Sequence, residues 1–248
     1  MEAQDWWKPC IAEFVGAFAL TFVGAGAIVA TQGGDLVAIA LAHGLAIAVM
    51  VTALGHISGG HFNPAVTIAT MFTKKIGLEL GLLYIIFQLL GSIFGAFLLV
   101  AAFPENLYGP VNLGTPGVDT NAISVPNAVV IEAILTFFLV FVIFGAAIDA
   151  RNHMKAVAGL AIGLTITADI LMGGPLTGAA MNPARAFGTA LISRTFDNHL
   201  VYWIGPILGA IIAALVYDNA FLSQPKAQET EKPPAVPVES VEQAPKSD

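Results

Sequence analysis

Two stretches specify the architecture of this chain: GHISGGHFNPAV at residues 55–66 and GAAMNPAR at residues 178–185. Both contain the tripeptide Asn-Pro-Ala, at 63–65 and at 182–184, and each tripeptide follows a glycine-rich stretch. An apolar run of about ten residues comes next, which is too short to cross a bilayer as a helix. Asparagine is a favoured helix N-cap, and proline is favoured at the first helical position. Each copy therefore predicts a re-entrant half-helix that enters the membrane without crossing it.

Six apolar blocks surround the two tripeptides, and a spanning helix needs about 20 such residues. The blocks lie at roughly 10–31, 36–57, 80–102, 127–148, 155–172 and 199–220, the fifth a little short. Of the 248 residues, 56% are hydrophobic and only 11% are charged, against roughly 25% charged in a soluble domain. The blocks lack the alternation with period two of a membrane β-barrel. We therefore predict an all-α membrane protein.

Charge and cysteine usage exclude other classes. Lys and Arg total 10 against 17 Asp and Glu, a net charge of −7, which argues against a nucleic-acid partner. A single cysteine excludes a disulfide framework within one chain and a cysteine-ligated zinc site.

The chain contains an internal repeat with a nearly constant offset. The offset of 119 residues that relates the two tripeptides also relates Glu13 to Glu132 and Gly44 to Gly163. Near the end of each half the offset becomes 118, as between Tyr84 and Tyr202. Each half, at about 8–102 and 127–220, holds three spans. Since three is odd, the second half enters from the opposite side, which predicts an inverted 3+3 repeat.

Inverted symmetry brings the two predicted half-helices together from opposite sides. Their N-termini meet near the midplane, and each carries about half a positive charge from the helix macrodipole. Two asparagine amides and two positive helix ends repel cations and orient water oxygens toward the asparagine side chains. The single-file water chain then has opposite polarity on the two sides, which opposes proton hopping.

Basic residues predict the orientation in the membrane. Eight of the ten fall on one side of the six spans: Lys8, Lys74, Lys75, Arg151, Lys155, Lys226, Lys232 and Lys246. Arg185 and Arg194 fall on the other. The positive-inside rule places both termini in the cytoplasm. Residues 1–222 form the predicted channel domain, and 223–248, rich in Pro, Glu, Lys, Gln and Ser, a predicted disordered cytoplasmic tail.

These two loops, with Glu13 and Glu132, resemble the signature features of the aquaporin (major intrinsic protein) family, and the resemblance covers about residues 8–220. It implies six spanning helices with two half-helices, a homotetramer with one pore per subunit, and Asn63, Pro64, Ala65, Asn182, Pro183 and Ala184 at the pore centre. It implies a passive channel in the cell membrane for water, with small neutral solutes such as glycerol as further permeants, and no enzyme, cofactor or metal.

The resemblance also implies an outer selectivity filter made of His43, Ile170, Ala179 and Arg185. This set is similar to that of the plant vacuolar subgroup, which also has a histidine on the second span. The strict water-only pattern has an aromatic residue at the position of His43 and a histidine at that of Ile170. Arg185, always charged, repels cations and donates to a solute oxygen. Composition alone favours a structural histidine bonded within the bundle at His43, whereas the resemblance favours a filter residue.

Glu13 and Glu132 lie inside apolar spans, where an unpaired charge costs a few kcal/mol. One interpretation is a proton relay, as in a coupled transporter. The other, which we favour, is a static acceptor for the backbone N–H groups of the loop before each half-helix, because each half has such a loop. Asp169 is expected to cap the outer end of the fifth span, and Asp149 to be solvated. A purely structural membrane protein is a third alternative to the channel.

Overall fold

The computed structural model describes residues 5–222, and within that range the chain is helical with connecting loops. The first half contains spanning helices α1 (Trp7–Thr31) and α2 (Leu36–Ser58), the half-helix α3 (Pro64–Phe72) and the spanning helix α4 (Leu78–Ala102). A loop with a short helix α5 (Glu105–Tyr108) and a 3-10 turn at Asn112–Gly114 joins the halves. The predicted tail at 223–248 lies outside the described residues.

The second half repeats this order. It contains α6 (Val125–Ile143), α7 (Ala158–Thr177), the half-helix α8 (Pro183–Ser193) and α9 (Val201–Tyr217). π-Helical turns extend α6 over Phe144–Ile148 and α9 over Asp218–Leu222, and a 3-10 turn at Lys155–Val157 precedes α7. Within residues 5–222, six helices are long and apolar enough to cross a membrane, which confirms the six predicted spans.

The fifth span is longer than the sequence predicts. The prediction ended it at residue 172, but α7 continues through Gly173, Gly174 and Pro175 to Thr177. Glycine and proline are tolerated in membrane helices because neighbouring helices satisfy the freed backbone groups. The helix ends where Gly178 adopts the left-handed conformation, with φ of 80°, and its N–H donates to the Gly174 carbonyl. Asp169 therefore lies inside α7, and the predicted cap at its end is wrong.

Helix packing follows the inverted repeat. In each half the first span packs on the other two, α1 on α2 and α4, and α6 on α7 and α9. The halves interlock because each half-helix packs against the last span of the opposite half, α3 on α9 and α8 on α4. Large apolar side chains such as Leu45, Phe97 and Leu160 are about half-exposed on the outside of the bundle. Such a surface fits hydrocarbon rather than water.

The two halves also meet where α2 crosses α7. A Cβ atom at Gly44 would collide with the carbonyl oxygen of Gly163, and a Cβ at Gly163 would collide with that of Gly44. Small residues allow helix backbones to approach this closely in lipid. These two glycines, related by the repeat, therefore set the spacing of the two halves.

Candidate functional site

Both Asn-Pro-Ala segments begin helices as their sequence predicts. Asn63 is the N-cap of α3, and its Oδ1 accepts a hydrogen bond of 2.9 Å from the Ala65 N–H. Asn182 is the N-cap of α8, and its Oδ1 accepts from the N–H groups of Ala184 at 3.0 Å and Arg185 at 3.2 Å. The prolines Pro64 and Pro183 occupy the first turn of their helices, where a missing N–H costs nothing.

The two half-helices meet tip to tip through hydrogen bonds that cross between the halves. Nδ2 of Asn63 donates to the Met181 carbonyl at 2.9 Å, and Nδ2 of Asn182 donates to the Phe62 carbonyl at 2.9 Å. Each amide nitrogen carries two hydrogens, so one hydrogen of each remains for a further acceptor. Both asparagines line the same narrow passage, and an oxygen atom there can accept from them.

Phe62 and Met181, which precede the two asparagines, adopt left-handed backbone conformations with φ of 48° and 51°. Such values are rare for bulky residues and need support from their surroundings. Their carbonyls accept from the opposite asparagine, and their N–H groups donate to Glu13 and Glu132 respectively. Neither residue was predicted to take part in the site, although the 119-residue offset relates the two.

Glu13 is fully buried against the loop before α3. Oε1 accepts from the Ser58 hydroxyl at 2.6 Å and from the His61 N–H at 2.9 Å. Oε2 accepts from the Phe62 N–H and from Nε2 of Gln88 at 2.7 Å. This carboxylate thus has four donors, two of them backbone groups of the irregular loop.

Glu132 is fully buried in the second half in the same manner. Oε1 accepts from the Thr177 hydroxyl at 2.7 Å and the Ala180 N–H at 2.9 Å, and Oε2 accepts from the Met181 N–H at 2.8 Å. It has no counterpart to the Gln88 contact among the described residues. In both halves a tyrosine hydroxyl adds a further bond: Tyr84 donates to the Ser58 carbonyl and Tyr202 to that of Thr177.

The four predicted filter residues line one passage with both asparagines. Arg185, at the start of α8, is 3% exposed. Its Nη1 donates to the Gly114 carbonyl at 2.8 Å, and its Nη2 lies 3.1 Å from Nε2 of His43. Ile170 on α7 and Ala179, in the loop before α8, supply apolar surface. The Gly114 contact was not predicted, because nothing in the local sequence distinguishes this glycine.

Hydrogen-bond roles determine the tautomer of His43. Because an arginine nitrogen can only donate, Nε2 of His43 accepts from Arg185. Nδ1 carries the proton and donates to the Ile39 carbonyl at 2.8 Å. His43 is thus a neutral imidazole with both nitrogens occupied.

The passage is narrow, and one end opens into a wide vestibule. The space available to the centre of a water molecule is about 30 Å³ in the passage and about 990 Å³ in the vestibule. His61 and Ile143 line both spaces. Since about one water-sized sphere needs 10–15 Å³ of such space, the passage has room for about two or three water molecules at a time.

Two aspartates have surroundings that differ from those predicted from the sequence. Asp149, predicted to be solvated, is only 5% exposed. Arg151 holds it with two side-chain hydrogen bonds and one backbone hydrogen bond, and these hold the pKa of the Asp149 carboxyl well below its usual range. Asp169 is buried in α7 beside Ile170, and its Oδ2 has no hydrogen-bond partner within residues 5–222.

Comparisons with known proteins agree with this architecture. The family model described as Major intrinsic protein matches residues 1–217. The chain is 43% identical over 233 residues to aquaporin TIP1-2 of Musa acuminata, with 88% of each chain covered. It is 40% identical over 224 residues to aquaporin-4 of Mus musculus, covering 88% of this chain and 68% of the relative.

A solved structure gives the same result. The X-ray structure of the aquaglyceroporin from Plasmodium falciparum superposes with a TM-score of 0.73 at 27% identity, covering 86% of this chain and 96% of that one. The family match spans most of the chain and both relatives exceed 30% identity over it, so fold, motifs and sequence agree. The chain therefore belongs to the major intrinsic protein family, which confirms the resemblance drawn from its two Asn-Pro-Ala segments.

Proposed function

We propose that the channel domain, residues 1–222, is a passive membrane channel that conducts water, with small neutral solutes such as glycerol as further permeants, and that excludes ions and protons. One observation carries the proposal: Asn63, Asn182 and Arg185 line the same narrow passage. The free amide hydrogens of the asparagines and the two positive helix ends orient a water oxygen at the centre. A water held in this way donates its hydrogens outward, which opposes a proton relay through the centre.

The filter in this proposal consists of His43, Ile170, Ala179 and Arg185. Arg185 supplies the positive charge that repels cations and the N–H groups that donate hydrogen bonds to a solute oxygen. The guanidinium of Arg185 is buried in a narrow passage, so little water separates its charge from a permeating ion. Ile170 and Ala179 leave an apolar wall, and a solute with carbon atoms meets less repulsion there than beside a second polar side chain.

The assembly and orientation in this proposal are a homotetramer in the cell membrane with both termini in the cytoplasm. The excess of basic residues on one side supports the orientation. The spanning helices expose apolar side chains on the outside of the bundle, and these can contact lipid or further subunits. Cross-linking in membranes tests the tetramer, and protease accessibility of a tag at either end in intact cells tests the orientation.

Stopped-flow light scattering of reconstituted vesicles tests the channel. We expect rapid swelling or shrinking with a low activation energy and no ion current. Sucrose, glycerol and urea as separate osmolytes give the permeability to each solute. Water permeability no greater than that of bare lipid would favour a purely structural membrane protein. Uptake that depends on a pH gradient and is lost in Glu13→Gln would favour a coupled transporter.

A further inference from the structure

The loop between the halves contains an unusual backbone segment, Asn112–Gly114. Its three residues have positive φ values of 46°, 55° and 69° in succession. Glycine adopts this conformation freely and asparagine tolerates it, but leucine rarely does. Since a run of left-handed residues is unfavourable, the surrounding structure must hold it.

The side chain of Leu113 anchors this segment. It is 1% exposed and packs in an apolar cluster on α1 and α4 with Ala25, Ala96 and Leu99. Gly114 lies directly on α1, because a Cβ at this glycine would come within 3.0 Å of Ala25. The segment therefore packs closely on the bundle, because the Leu113 side chain is buried in the cluster and Gly114 has no side chain to keep it from α1.

The anchored segment delivers one acceptor to the filter, since the Gly114 carbonyl accepts the 2.8 Å hydrogen bond from Nη1 of Arg185. His43 accepts from the other terminal nitrogen, Nη2. Two acceptors on two nitrogens of a planar group determine its orientation as well as its position. The N–H groups that remain free on Arg185 then point in directions set by these two contacts.

We propose that Leu113 is a positioning residue for selectivity: it holds the Gly114 carbonyl on Arg185, and this contact decides where the filter offers its hydrogen-bond donors. The inference rests on the proposed filter. Both nitrogens of His43 are occupied, and the side chains of Ile170 and Ala179 are apolar, so Arg185 supplies the side-chain hydrogen bonds that the filter can offer a permeant. Small shifts of Arg185 therefore change which oxygen-bearing solutes pass.

Two variants remove the anchor. Leu113→Ala shortens the side chain, and Leu113→Gly also removes the steric cost of a positive φ that alanine would keep. Val140→Ala is the control, because Val140 is equally buried but lies on α6 in a different apolar cluster and lines neither the passage nor the vestibule. We expect both Leu113 variants to raise the ratio of glycerol to water permeability about threefold, because a guanidinium that loses the Gly114 contact can move aside and widen the passage for the larger solute. Leu113→Met restores the apolar volume and should restore the ratio.

A second readout does not depend on flux. Methylglyoxal modifies arginine side chains, and mass spectrometry of purified protein gives the rate at Arg185 and at the exposed Arg194. We expect Arg185 to react about threefold faster in the Leu113 variants, because its guanidinium loses one of its two hydrogen-bonded acceptors, while Arg194 reacts at the wild-type rate.

The outcomes separate this inference from the proposed function. Wild-type permeability ratios and wild-type reactivity of Arg185 in both Leu113 variants would overturn the inference, as would equal changes in Val140→Ala. A wild-type protein without water permeability would overturn the proposed function, yet the reaction with methylglyoxal would still decide whether Leu113 positions Arg185.

Discussion

At the scale of single residues, Arg185 places a buried positive charge in the passage. Two of its nitrogens are held by Gly114 and His43, so the charge cannot swing away from the solute path. The adjoining side chains of Ile170 and Ala179 are apolar and offer no opposite charge in the wall of the passage. A cation that entered would meet this charge with little water between them, where repulsion is strongest.

We predict that Arg185→Val admits cations or larger solutes. Removing the guanidinium removes the repulsion and widens the passage, and we expect glycerol permeability relative to water to rise about tenfold, roughly 1.4 kcal/mol in barrier height. Osmolyte-specific stopped-flow rates and conductance in planar bilayers measure the two effects. The control is Arg194→Asn, because Arg194 is exposed, follows the end of α8 and has a left-handed backbone conformation that asparagine tolerates. Unchanged selectivity in Arg185→Val would contradict the filter assignment.

We predict that His43→Ala also raises glycerol flux, but with continued exclusion of cations. The substitution removes an imidazole from the wall and leaves Arg185 with its Gly114 contact. We expect a rise of about threefold to tenfold in the glycerol-to-water ratio, typical of removing one well-packed group from a small site. His153→Ala serves as the control, since His153 is exposed in a loop. An unchanged ratio would indicate a structural histidine.

The sequence predicted which side chains form this site, but not which backbone carbonyls hold them in place. Asn63, Asn182 and Arg185 stand in motifs, and their chemistry can be read from residue type and position. The carbonyls of Gly114, Phe62 and Met181 contribute as much to the geometry. A carbonyl is present at every residue, so only the folded chain shows which carbonyls point into the site.

At the scale of elements, the two loops before the half-helices share one design but not one set of contacts. In each, a buried carboxylate accepts from a hydroxyl and two backbone N–H groups. The first loop adds Gln88, whose Nε2 donates both to Glu13 and to the Thr67 hydroxyl. The repeat places alanine, Ala186, at the position equivalent to Thr67. The first loop is therefore held by the larger polar network.

We predict that Glu13→Gln destabilises the protein more than Glu132→Gln. An amide has one acceptor oxygen, and its nitrogen faces donors that it cannot satisfy. Each buried donor that is left unsatisfied costs roughly 1–3 kcal/mol, and Glu13 has four donors where Glu132 has three. The thermal unfolding midpoints of the two variants in detergent show which of them is less stable. Equal stability, together with loss of a pH-driven flux, would instead support a proton relay.

At the scale of the whole molecule, the inverted repeat was predictable because it leaves a numerical trace in the sequence. The offset of 119 residues relates Asn63 to Asn182, and the structure uses the same relation for the crossed hydrogen bonds of the two asparagines. The end of α7 was not predictable in the same way. Gly173, Gly174 and Pro175 usually break helices, and only packing by neighbouring helices allows them to continue one.

The last prediction concerns the spacing of the two halves at the crossing of α2 and α7. A Cβ at Gly44 would lie 3.2 Å from the Gly163 carbonyl carbon and still closer to its oxygen. Gly44→Ala must therefore push α7 away, and such overpacking costs roughly 1–3 kcal/mol. The higher helix propensity of alanine returns only about 0.5–1 kcal/mol. We expect a lower unfolding midpoint and reduced water permeability, because α2 carries His43 and α7 carries Ile170.

Gly55→Ala is the matched control for Gly44→Ala, since Gly55 lies on the same helix and its nearest neighbour would be 3.6 Å from a new Cβ. That distance is ordinary contact, so the propensity gain should remain and the variant should be at least as stable as the wild type. Differential scanning fluorimetry gives the two midpoints, and stopped-flow scattering gives the two permeabilities. If Gly44→Ala matched Gly55→Ala in both measurements, the close approach of the two backbones would not set the width of the passage.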